Sequence, residues 1–156
     1  MIREIDGFHQ DGHGDWVAEL SCLHGQHVRH DPPFQPRPWV TSDAGRAEHL
    51  GSAIECPLCD RLELPAALEV VRTAGPFDAE TLPLALQCAH LVGERTWGLL
   101  RVLEGSVVFA IETTPPMTVR LSAADEQPIP PGVPHLVRVD EEPVQLLIDF
   151  LVRSPP

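Results

Sequence analysis

Residues 128–135 read PIPPGVPH. Pro130, Gly132 and His135 form the pattern of a strand that enters a barrel through a Pro-Gly turn and presents a histidine to the interior. Upstream, residues 97–112 read WGLLRVLEGSVVFAIE, where Gly105 is expected as a hairpin turn between two β runs. Further out lie LEVV, MTVRLS, PHLVRV and VQLLIDFLV, short apolar or alternating runs split by Gly, Pro and acidic turns. That is the signature of an all-β sandwich or barrel. The 17 prolines fall mostly between runs, where a missing N–H donor does least harm.

The chain has 156 residues, enough for one or two small domains. Its chemistry changes along its length. Six of the eight histidines and three of the four cysteines precede residue 60. A boundary near Glu63–Pro65 is expected, with a Cys/His-rich domain over 1–62 and a barrel over 63–156. The net charge is −12, with ten acids against five arginines before residue 63 and thirteen against six after it. Such a balance argues against nucleic acid or an anionic membrane as partner, because both select basic surfaces. Every basic residue is arginine, which reads as a genomic bias. No run approaches a membrane span, and the acidic N-terminus lacks the apolar core of a secretory signal. A soluble cytoplasmic protein is expected, and there cysteines serve as thiols or metal ligands more often than as disulfides.

Residues 1–62 read as an α+β unit. Ile2–Phe8 and WVAELSC form a hairpin around QDGHGD. SDAGRAEHLGSAI suggests a helix of about three turns, with Thr41 or Ser42 as N-cap and Gly51 as its break. Next comes CPLC, with Cys56 and Cys59. A Cys-x-x-Cys turn places two thiolates about one tetrahedral ion, and zinc then needs two further N or S ligands. CLHGQHVRH, residues 22–30, offers them. If this run is a strand, Cys22 and His24 share a face. The candidate zinc set is Cys22, His24, Cys56 and Cys59, with His27 as an alternative to His24 and His30 as third choice. A metal staple suits a domain with so little apolar content. The competing readings are a redox-active or inert thiol pair. His9, His13 and His49 are read as surface residues.

In the second half, Asp149 lies in the apolar run LLIDFLV, where a carboxylate needs a partner or a metal. His90 and His135 are the other candidate ligands, in or beside β runs. Two imidazoles and a carboxylate with open positions suit Fe(II), Mn, Ni or Zn. Cys88 is either a further ligand or a small core residue, and Glu94 could add an acid. The alternative is that the histidines are satisfied polar groups at a barrel mouth and that Asp149 pairs with Arg101 or Arg138.

Two resemblances add to this. GFHQD, WVAEL, the C-x-H-x-Q-H-V-R-H-x-P-P-F run, RPWV and the closing Cys-x-x-Cys resemble a small bacterial domain of no assigned activity, over residues 3–60. Leu23 stands where that domain usually has Gly. Leu64-Pro65, Phe77/Thr81/Pro83, His90, Trp97-Gly98 with Gly105, His135 and Asp149-Phe150 resemble the cupin family typified by the N-terminal domain of tellurite-resistance protein B. The resemblance implies a mainly β fold, with a C-terminal cupin β-barrel preceded by the small α+β zinc-binding domain. It suggests a stress-associated metal-binding protein, its cup holding a small molecule or an oxyanion. A metal-dependent cupin enzyme of oxygenase or isomerase type is the alternative. A structural adaptor that docks partners through PPFQPRPWV and an exposed Trp39 is a third reading. Barrels of this type often pair through a sheet, which leaves a homodimer open.

Overall fold

The computed structural model describes residues 1–28 and 37–154. His30 and most of the proline-rich loop lie outside the described residues. The N-terminal part is a four-stranded antiparallel sheet in the order β3-β2-β1-β4. Its strands are β1 (Ile2–Gln10), β2 (Trp16–Leu20), β3 (Gly25–His27) and β4 (Ala53–Glu55). β1 and β2 form the expected hairpin, with Gln10 opposite Trp16. The Asp11 carboxylate closes its turn by accepting the backbone N–H groups of His13 and Asp15.

The expected three-turn helix is shorter. α1 spans Asp43–Glu48, with Ser42 as N-cap accepting the Gly45 N–H. The chain leaves it through Gly51, at φ +76. Ala53–Glu55 then pairs with the free edge of β1. Sheet pairing wins because three residues of alternating burial complete an otherwise open edge. A one-turn helix, α2 (Pro57–Asp60), follows at once.

The C-terminal part is a five-stranded sheet in the order β5-β9-β6-β7, with β8 paired to β6. The strands are β5 (Leu68–Phe77), β6 (Trp97–Ile111), β7 (Met117–Ser122), β8 (Glu126–Ile129) and β9 (His135–Arg153). Two expectations need correction here. Gly105 is no hairpin turn, because β6 runs through it as one strand of 15 residues. PHLVRV and VQLLIDFLV likewise join into the 19 residues of β9. β6 and β9 pair along nearly their whole length, and their register shifts between Val102 and Val107. Gly105 sits at that irregularity with φ +71, and a Cβ there would come within 2.1 Å of the Pro143 carbonyl oxygen. Only glycine tolerates both the φ and the approach. The bulge bends both strands, so the sheet curls into a half-barrel.

Leu100, Phe109, Ile129, Val137 and Leu146 fill its interior. The Pro-Gly turn behaves as expected: Gly132 has φ +68 and His135, opening β9, is buried. A second core lies under the N-terminal sheet, built from Ile5, Leu20, Val40 and the three buried cysteines. Trp97 and Leu151, cross-strand partners on β6 and β9, belong to this second core. No helix among the described residues is long and apolar enough to cross a membrane.

Candidate metal centre

Cys22 and Leu23 form the turn after β2, and His24 leads into β3. Leu23 adopts φ +70, which folds the turn so that Cys22 and His24 face the same point. Cys56 precedes α2 and Cys59 lies within it, its backbone carbonyl accepting the Arg61 and Leu62 N–H groups. All four side chains are buried, and their ligand atoms lie within 4.8 Å of one another.

The separations match one tetrahedral ion. Zinc ligands at about 2.3 Å (S) and about 2.0–2.1 Å (N) stand roughly 3.6–3.8 Å apart. Cys22 Sγ and Cys56 Sγ are 3.8 Å apart. His24 Nδ1 is 3.4 Å from Cys22 Sγ, 3.4 Å from Cys56 Sγ and 3.5 Å from Cys59 Sγ. His24 Nε2 donates to the Glu63 carbonyl at 3.1 Å, which leaves Nδ1 as the free ligand atom. Trp97 holds the other side. Its Nε1 donates to the Cys22 carbonyl at 2.8 Å, and its ring meets His24 edge-on at 5.4 Å.

The electrostatics of this donor set are compatible with a bound cation. Burial works against charge on His24, yet hydrogen bonds and negative charge from Cys22 and Cys56 raise its pKa to about 9. Cys22 and Cys59 push the Cys56 thiol down. Cys22, Cys56 and burial push Cys59 up. Three thiols around one imidazole cannot all ionise on their own. A divalent cation resolves the conflict by neutralising the thiolates together.

His27 stands apart from this centre. It is half exposed, and its Nε2 contacts Asp11 at 2.9 Å. That hydrogen bond, with backbone N–H donors, lowers the Asp11 pKa to about 2. His9 pairs with Glu19, and His49 stacks on Trp39 at 3.7 Å. Trp39 is half-buried there, with Phe8 against its edge.

The second expected ligand set does not assemble. Among the described residues, the Cys/His group is the one cluster of three or more ligands. His90 and His135 do meet: their backbones exchange two hydrogen bonds and their rings are 5.6 Å apart. His135 lies against Phe109 in the barrel core, and burial and the nearby His90 lower its pKa. Asp149 is not with them. It is paired across the sheet with Leu99 and Thr73, and its carboxylate accepts from Thr73 Oγ1 and, at 3.4 Å, from Arg101. Strand alternation is the reason. Leu146 and Ile148 point into the barrel, so Asp149 points to the opposite face. Cys88 is exposed, neither ligand nor core. Glu94 lines a separate groove with Arg3, Asp6 and Arg95.

Trp97 and the Glu63 carbonyl were not expected near the metal ligands. Trp97 is far away in sequence, and a backbone carbonyl leaves no trace in residue type.

Residues 72–148 match the TehB-like domain. Residues 6–63 match a second family model, described as a protein of unknown function (DUF3565), which spans all four residues of the cluster. None of the curated proteins matches the sequence. Among solved structures, a protein from E. coli strain K12 superposes with TM-score 0.55 at 19% identity, covering 60% of this chain and 98% of its own. That likeness shows the fold. TehB from Haemophilus influenzae superposes with TM-score 0.49 at 20% identity, over 56% of this chain. The aligned region spans about a third of TehB, 32% of its length. His90, Trp97 and His135 fall inside the TehB-like segment, and Asp149 falls just beyond it.

Proposed function

We propose that this is a metal-binding protein with a structural zinc centre at Cys22, His24, Cys56 and Cys59 and a cupin-type barrel whose mouth receives a small molecule or an oxyanion. The spacing of the four buried ligand atoms carries the first half of this reading. A closed shell of three thiolates and one imidazole leaves no position for a substrate, so the zinc would act as a staple. It would tie the turn after β2 to α2, and through Trp97 to the barrel. The second half is supported by two long bent strands curled around an aliphatic core, with a Pro-Gly turn delivering His135. The link to tellurite or nitrogen-oxide stress rests on family resemblance.

Metal analysis of the full-length chain tests the centre. About one zinc per chain is expected, bound through deprotonated thiolates. Cys56→Ser should leave the zinc content well below one and lower the unfolding free energy by several kcal/mol. His27→Ala should keep its zinc. Unchanged zinc in Cys56→Ser, or loss of zinc in His27→Ala, would refute the assignment.

A further inference from the structure

The groove at the open edge of the half-barrel differs in charge from three other grooves among the described residues. It measures about 420 Å³ and is lined by Arg72, His90 and Thr96 among the apolar residues Val71, Leu91 and Phe150. Among the described residues no acid lines it, although the chain carries 23 acids. Three other grooves each include at least one carboxylate: Glu4, Asp6 and Glu94 in one, Glu112 in another, and Asp78, Glu80, Glu104 and Glu142 in the third.

Arg72 is also set apart from most of the arginines. Arg46, Arg61, Arg95, Arg101 and Arg120 each meet a carboxylate. Arg3 and Arg153 donate to backbone carbonyls. Arg72 instead lies over the ring of its cross-strand partner Phe150, 4.1 Å from the centroid. Stacking uses the flat face of the guanidinium and leaves its in-plane N–H donors for another group. A planar fork of donors held on an aromatic platform matches a carboxylate in bidentate fashion. The surrounding apolar wall suits a short hydrocarbon or aromatic body.

We infer that the groove between β5 and the 90–96 segment binds a small carboxylate with an apolar body, its acid group on Arg72 and its body against Phe150 and Leu91. This rests on the reading of the barrel as a ligand-binding unit and is independent of the zinc centre. His90 and Thr96 line the same groove.

The probe is benzoate, titrated into the zinc-loaded full chain and followed by NMR, with neutral benzamide as a control of the same shape. A dissociation constant on the order of millimolar is expected for so small a ligand. Shifts should centre on Arg72, His90, Thr96 and Phe150. Arg72→Gln should weaken benzoate at least about tenfold while zinc content and tryptophan fluorescence stay as in the parent. Arg72→Lys, which keeps the charge and loses the fork, should fall between them. Equal binding of benzamide, or benzoate binding unaffected in Arg72→Gln, would overturn the carboxylate site. Shifts confined to the separate pocket around Met117 and His135 would overturn this groove and leave the ligand-binding barrel standing. No shift with either probe would count against both.

Discussion

Leu23 occupies a left-handed conformation, φ +70, between Cys22 and His24 of the Cys/His cluster. Such a backbone favours glycine, and an L-residue there bears a strain of roughly 1–2 kcal/mol. Packing explains its presence. The side chain is 4% exposed and belongs to the core around the cysteines. Burying a leucine offsets the strain, because deleting one from a core costs about 2–5 kcal/mol. Leu23→Gly relieves the strain and loses the packing, so a net destabilisation of about 1–3 kcal/mol is expected. Leu23→Ala keeps the strain and loses most of the packing. Urea unfolding of the zinc-loaded protein should therefore rank Leu above Gly and Gly above Ala. An alanine variant more stable than the glycine variant would show that the turn is unstrained. At this scale the four ligands were legible in the sequence, because thiols and imidazoles at metal-ligand spacing have few other uses. His24 was preferred there to His27 on strand alternation; what brings it to the cysteines is instead a tight turn, and a hydrogen bond to a carbonyl 39 residues away.

At the scale of elements, the half-barrel depends on one bend shared by β6 and β9. Gly105 allows that bend, with the Pro143 and Glu141 carbonyl oxygens 2.1 and 2.6 Å from where a Cβ would stand. Both obstacles are backbone, so no side-chain rotation relieves them. Gly132 has a similar φ, +68, with nothing within 4 Å of its Cβ position. The pair separates crowding from conformation. Gly132→Ala should cost about 1 kcal/mol, from φ alone. Gly105→Ala should cost at least about 3 kcal/mol, from φ and overlap together. Equal losses in thermal or urea unfolding would rule out the close crossing of β6 and β9. The β content of this half was legible from its apolar runs. The continuity of its strands was not, because a glycine at a bulge and a glycine in a hairpin look alike in a sequence.

Over the whole molecule, the two parts are joined through the Cys/His cluster. Trp97, fully buried, reaches from the start of β6 to the Cys22 carbonyl. Leu151 packs beside it, and the Arg153 side chain donates to the Leu23 carbonyl. Arg3 reaches back to the Pro131 carbonyl at 2.9 Å, and Arg95 pairs with Asp6. Removing the metal should therefore be felt in the barrel. Hydrogen exchange of the chelated protein should show lost protection at residues 97–100 and 150–153, along with the turn at 21–24 and α2, while β7 stays protected. Loss confined to residues before 64 would mean that the two parts are energetically separate.

The sequence by itself determined the mainly β class, the N-terminal hairpin, the Pro-Gly entry to His135 and the candidate zinc ligands. These follow from short-range rules: alternation, turn chemistry and ligand spacing. Tertiary structure decided what long-range geometry governs. Strand alternation turned Asp149 away from His90 and His135, and the curl of β6 against β9 set Trp97 behind the cysteines. It also placed Arg72 over Phe150 in a groove free of acids. Such contacts join residues far apart in the chain, and no local pattern records which distant backbone will come to lie beside which side chain.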